Sequence, residues 1–157
     1  DVVIVSFHGG AEGSKYQSVT RKTELFYGEN RGNVYEFSHT MVDAGADIIF
    51  GHGPHVSRAI DIYKNRFIIY SLGNFCTYAR FNLQGANGLA PIIKVFTDAR
   101  GSFLKAEITP IVQKPPGGPR IDPDGQVITK LRELTEKDFP EVPVKIDAAG
   151  IITYLKD

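Results

Sequence analysis

The order of elements in the first third of the chain limits its folds more than any other feature. Val2 to Ser6 is a β-branched run that reads as a buried strand. Residues 14 to 31 are polar and mixed with no clean period, and read as a long loop with a short helical piece around Thr20 to Phe26. Val34, Phe37, Met41 and Val42 fall on one face of a helix over Val34 to Ala44, which Asn33 can cap and Gly45 can end. Asp47 to Phe50 is a second buried strand. Strand, loop, helix, strand is a βαβ crossover, which demands parallel strands and right-handed connection. Both strands then end on one sheet edge. His8 follows the first, and His52 and His55 follow the second, so three of the four histidines are expected at one mouth.

The rest of the chain is mostly strand. Arg58 to Tyr63 and Phe67 to Leu72 form a hairpin about Lys64-Asn65, closing on Gly73-Asn74. A Gly/Asn-rich loop covers Thr77 to Leu89, and Pro91 to Thr97 pairs with Phe103 to Thr109. The prolines and glycines of 113–125 read as a linker. Beyond it, Gln126 to Lys137 is a helix, and Val144 to Asp147 pairs with Ile151 to Leu155. The expected organisation is a domain over 1–112, a linker over 113–125, and a helix and hairpin extension over 126–157.

Composition excludes some functions. Lys plus Arg and Asp plus Glu are 18 each among 157 residues, so bulk charge gives no nucleic-acid signal. No apolar run approaches the roughly 20 residues of a membrane span. The lone Cys76 cannot make an internal disulfide and reads as a small core residue. The chain opens on Asp1 directly into a core strand, from which a fragment or processed product is expected.

The chemistry sits in the Gly-rich turns. Gly51 and Gly53 free the backbone and Pro54 stiffens it, holding His52 and His55 on a short loop. Neutral imidazoles suit zinc, manganese or iron; polar loop histidines that cap backbone groups are the alternative. His8, His52 and His55 without a thiolate describe an incomplete or open site, catalytic rather than structural. Glu12 is a ligand, an acid–base group or the partner that fixes a histidine tautomer, or else a solvated glutamate. Arg58 is a candidate for holding an anionic group or for a cross-strand ion pair, and Asn74 for a substrate contact or a turn. Arg80 and Asn82 lie in a candidate rim loop, and His39 reads as a surface or packing residue. No nucleophile elbow, phosphate-binding loop or dinucleotide fingerprint is present.

Two stretches carry a resemblance. FHGGAE (7–12), and GADIIFGHGPHV (45–56) followed by IIYSLGNF (68–75), resemble the signature of the bacterial capsule-synthesis CapA, or poly-γ-glutamate biosynthesis, proteins over residues 1 to about 110. That family is similar to calcineurin-like metallophosphoesterases, so the resemblance implies the C-terminal half of a layered α-β-β-α sandwich, an α/β fold with a mixed sheet and a divalent, dinuclear metal centre. It implies His8, His52 and His55 as ligands, with His8 and His52 on one ion and His55 on the other. His8, Glu12 and His55 would serve catalysis, and Arg58 and Asn74 would bind substrate. The general metallophosphoesterase motif is His-x-His, whereas one more residue intervenes here, and the early Asp and Asn ligands of such enzymes have no counterpart in this chain. The resemblance implies poly-γ-glutamate or a phosphoester as substrate and other capsule-synthesis proteins as partners. It implies a bacterial surface location, with membrane contact only through sequence outside this chain. A hydrolase, a non-catalytic assembly component that keeps the fold, and a structural domain with incidental histidines are the three functional readings.

Overall fold

A computed structural model describes residues 1–116 and 118–155. Residue 117 of the expected linker and residues 156–157 of the expected extension lie outside the described residues.

The first sheet contains the crossover. Strand β1 (Ile4–His8) leads through a small hairpin, β2 (Leu25–Phe26) and β3 (Glu29–Asn30), into helix α1 (Val34–Asp43) and strand β4 (Ile48–His52). Strands β5 (Ile60–Tyr63) and β6 (Arg66–Ile69) complete a four-stranded mixed sheet in the order β1-β4-β6-β5. As the crossover requires, β1 and β4 are parallel. Lys64 and Asn65 have φ of 48° and 61°, the left-handed pair that a two-residue hairpin turn needs. Asn33 caps α1 by accepting the Glu36 N–H at 3.2 Å.

The second sheet is antiparallel. Its long strands are β7 (Leu89–Thr97) and β8 (Phe103–Gln113); β9 (Pro119–Ile121) pairs with β8. Helix α2 (Gln126–Asp138) precedes β10 (Val144–Ile146) and β11 (Ile151–Tyr154), and the order is β10-β11-β8-β7. The stretch read as a linker therefore holds a strand of this sheet, and β11 pairs with β8.

Pleating of the first sheet sorts its residues between two cores. Ile48, Phe67 and Ile69 face Phe103, Ala106 and Ile108 of the second sheet, together with Val127 and Leu131 of α2. Ile49, Ile68 and Tyr70 point the other way, onto Val34 and Val42 of α1. Each fully buried Ile or Phe contributes about 1.5–3 kcal/mol. The result is an α/β sandwich whose core lies between two sheets.

Three local expectations are corrected. Leu25 and Phe26 form a strand rather than part of a helix, because the turn at Tyr27-Gly28, with φ of 50° and 81°, closes a hairpin. The first strand runs over Ile4–His8 and alternates in exposure instead of being buried, because β1 is an edge of its sheet. Cys76 is exposed, since it lies outside both sheets. His39, read as a surface or packing residue, packs: its Nε2 is 2.8 Å from Asp61 Oδ2, and Tyr63 stacks on it at 3.8 Å. Among the described residues no helix is long and apolar enough to cross a membrane.

Candidate functional site

The parallel register pairs His8 with His52 at the C-terminal ends of β1 and β4. Both histidines are thus the last residues of strands, not loop residues. The two chains stay together beyond that point: the Gly9 N–H donates to the His52 carbonyl at 2.9 Å, and the Gly13 N–H to the Pro54 carbonyl at 2.8 Å. Gly53, at φ 116°, is needed there, because a Cβ would stand 3.0 Å from the Gly9 carbonyl oxygen. Burial lowers the pKa of His52 below its ordinary value, and the nearby His8 lowers it further. At neutral pH the His52 ring is accordingly neutral, the form that ligates metals.

His55 is aimed by Asn74. The Asn74 Nδ2 donates to the carbonyls of His55 at 3.1 Å and Asn87 at 3.0 Å, which fixes the amide orientation. Its Oδ1 then faces His55 Nδ1 at 2.8 Å, and an oxygen acceptor requires that Nδ1 carry the proton. In the neutral ring Nε2 therefore keeps its lone pair. That nitrogen lies 3.9 Å from Glu12 Oε2, and Arg31 holds the other Glu12 oxygen at 3.1 Å. Asn74 is itself held from behind by the buried Gln113, whose Nε2 donates to the Asn74 carbonyl. Asn74 thus lines the site with its carboxamide committed to protein groups rather than offered outward.

Arg58 is not at the mouth. It is fully buried, and its Nη1 and Nη2 donate to the two Glu24 oxygens at 2.9 Å each. The same pair clamps Ala11, whose N–H donates to Glu24 Oε2 at 2.7 Å while its carbonyl accepts from Arg58 Nη2 at 3.0 Å. A guanidinium so enclosed cannot reach a bound substrate, so the expected substrate contact is replaced by a tie beneath the loop that carries Glu12. Sequence reasoning missed Glu24 and Arg31. The available signal was Arg58 itself, since an arginine amid a strand-forming run needs a buried anion to pair with.

Topology brings all three histidines to one sheet edge, but their side chains form two pairs, His8 with His52 and His55 with Glu12. Among the described residues no three His, Cys, Asp or Glu side chains are grouped so as to hold a metal ion. The donor chemistry fits a divalent transition metal: imidazoles and a carboxylate, with one tautomer fixed by Asn74 and one ring neutral through burial. Each pair brings two donor side chains together. Beside the second pair opens a groove of about 580 Å³, lined by Glu12, Lys15, Tyr27, His55, Arg80 and Phe81 among others.

Comparison with known proteins agrees with these motifs. A sequence model of the family described as bacterial capsule synthesis protein PGA_cap matches residues 1–79. The chain is 41% identical over 75 residues to the capsule biosynthesis protein CapA of Bacillus anthracis, which covers 48% of this chain and 15% of that protein. It is 37% identical over 75 residues to the PGA biosynthesis protein CapA of Bacillus subtilis, covering 48% and 16%. A probable polyglutamine synthesis accessory protein of Mycobacterium tuberculosis is 34% identical over 74 residues, covering 47% and 16%. The matched stretch is thus only 15–16% of the length of these relatives.

Proposed function

The chain belongs to the bacterial capsule synthesis protein PGA_cap family, and from that premise we propose that it serves poly-γ-glutamate capsule synthesis through a divalent-metal site that cleaves a γ-glutamyl or phosphoester bond. The observation that carries the chemistry is the pairing of His8 and His52 by strand register, beside a His55 whose free Nε2 is set by Asn74. His8 and His52 would hold one ion and His55 a second, the remaining ligands coming from elsewhere in the assembled protein. When bound, such an ion lowers the pKa of a water and polarises a phosphoryl or acyl oxygen.

This chain's own groups do the rest. Glu12, anchored by Arg31 at 3.1 Å, is placed to take a proton at Oε2 on the side facing His55. Neutral His52 offers a lone pair at neutral pH. The Arg58–Glu24 tie keeps the Glu12 loop against His55. The work is proposed to take place at the bacterial cell surface, in company with other capsule-synthesis proteins.

A second reading is a non-catalytic assembly component that keeps the fold. It is favoured by the absence of a three-ligand cluster among the described residues. Calorimetric titration with Mn²⁺ and Zn²⁺, paired with turnover of γ-glutamyl and phosphoester substrates, separates the two. Stoichiometric binding lost in a His52→Ala/His55→Ala variant, with turnover lost in parallel, supports the enzyme. Metal binding without turnover of either substrate supports the assembly component, and no binding removes the metal site from both.

A further inference from the structure

We propose that Gln113, the last residue of β8, is a positioning residue for the His55 imidazole, acting through Asn74 and touching no ligand itself. Gln113 lies outside residues 1–79, where the family model matches, so the second sheet takes part in building the site.

The segment that carries Asn74 has little else to hold it. Among the described residues, 73–77 make no backbone–backbone hydrogen bond, and Gly73 enters the segment at φ 73°. One buried side chain substitutes for a strand ladder. Gln113 is 1% exposed, and its Oε1 accepts from the Thr77 N–H at 2.9 Å and from Thr77 Oγ1 at 3.1 Å. A backbone N–H can only donate, so the orientation of the amide is settled. Its Nε2 faces the Asn74 carbonyl, to which it donates. A single carboxamide thus closes the bend from Asn74 to Thr77 at both ends.

The backbone of Gln113 holds the other neighbour of Asn74. The register of β7 against β8 pairs Leu89 with Val112, so Gly88, one residue earlier, comes opposite Gln113. A Cβ on Gly88 would stand 2.9 Å from the Gln113 carbonyl oxygen, so the 3-10 turn Gly85–Gly88 lies directly against it. That turn presents the Asn87 carbonyl to Asn74 Nδ2 at 3.0 Å, while Asn87 Nδ2 reaches the His55 carbonyl at 3.4 Å. Asn74, Asn87 and Gln113 are all buried, where an amide without partners is costly. With the Asn74 peptide held by Gln113, its carboxamide is directed at His55 Nδ1. Without Gln113, the hydrogen bonds of that carboxamide would have to order the segment alone against its conformational entropy.

An amide that only stabilised the fold would leave the His55 tautomer indifferent to its loss. The test is therefore long-range proton–nitrogen NMR of the histidine rings at alkaline pH, on the full-length protein and on Gln113→Met and Gln113→Asn. Met keeps the side-chain length and loses both hydrogen-bonding groups; Asn keeps both groups and is one methylene too short to span Asn74 and Thr77. Wild type is expected to hold His55 as the Nδ1–H tautomer, and both variants to show a mixture with the Nε2–H form. Ile152→Ala, a cavity in the core of the same sheet, is expected to lower the melting temperature and leave the tautomer unchanged. An Nε2–H ring in wild type, an unmixed Nδ1–H ring in either folded Gln113 variant, or an equal mixture in Ile152→Ala each overturns the proposal. What the orientation serves rests on the reading above: with His55 a ligand, Mn²⁺ affinity by calorimetry should fall about tenfold in both Gln113 variants. A mixed tautomer with unchanged Mn²⁺ affinity supports the positioning role and removes His55 from the metal reading. Lowered affinity with the Nδ1–H tautomer intact overturns the positioning role and leaves the metal reading standing.

Discussion

The Asn74 carboxamide and the His55 ring are locked in one arrangement: Oδ1 accepts from Nδ1 at 2.8 Å because Nδ2 is occupied by two carbonyls. Asn74→Ala removes the acceptor for the ring and the donor for both carbonyls. It is expected to cost about 1–3 kcal/mol, read by urea denaturation. Nitrogen NMR of the neutral ring should show the Nδ1–H tautomer in wild type and a mixture of tautomers in the variant. A single unchanged tautomer in Asn74→Ala would mean that another group orients His55.

Arg58 and Glu24 act as one buried unit, so single and double variants should differ in kind. Arg58→Ala strands a buried carboxylate and is expected to cost about 3–5 kcal/mol. Arg58→Met combined with Glu24→Leu removes both charges and should recover much of that stability. The Ala11 carbonyl loses Arg58 in both variants, and the Ala11 N–H loses Glu24 in the double variant, so the loop carrying Glu12 should exchange its amide hydrogens faster even when global stability returns.

What could be read from the sequence was what local pattern determines. The Asn33 cap and the Lys64-Asn65 turn follow from residues adjacent in sequence, and the parallel β1–β4 pairing follows from the order of strand, helix and strand. The position of His8 opposite His52 follows from topology alone. The environment of Arg58 did not, because Glu24 is 34 residues away and lies in a stretch whose polar composition resembles a helix as much as a loop. Pairing between distant charges leaves no periodic trace. For the same reason the split into His8–His52 and His55–Glu12 was invisible: spacing places backbones at an edge, whereas Asn74 and Arg31 decide where the rings and the carboxylate turn.

The lowered pKa of His52 sets a direction for pH dependence. Its folded pKa is below the ordinary 6.5, so the unfolded chain binds more protons as pH falls through that value. Stability is therefore greatest above the unfolded pKa and declines as pH drops from about 7 toward 5. Denaturation midpoints across that range should fall in wild type and fall less steeply in His52→Gln. Metal affinity, if His52 is a ligand, should fall over the same range as the proton competes for the lone pair.

Gly51 ties the register of the histidines to the packing behind them. It precedes His52, pairs with Phe7, and its carbonyl accepts from the Leu72 N–H at 3.0 Å. A Cβ there would stand 2.2 Å from the Tyr70 carbonyl oxygen and 2.9 Å from the Phe7 ring, both closer than atoms can sit. The neighbour is backbone of the adjacent chain segment, which cannot rotate away, so Gly51→Ala must part β4 from its neighbours. The expected cost is about 1–3 kcal/mol or more. Gly28→Ala is the matched control: nothing lies within 4 Å of its Cβ, and at φ 81° it meets only backbone strain of about 1–2 kcal/mol. Because the displaced strand carries His52 against His8, Gly51→Ala should also weaken Mn²⁺ binding at temperatures where the variant is still folded, whereas Gly28→Ala should not. Equal metal affinity in the two variants would show that the register of β4 against β1 does not set the His8–His52 pair.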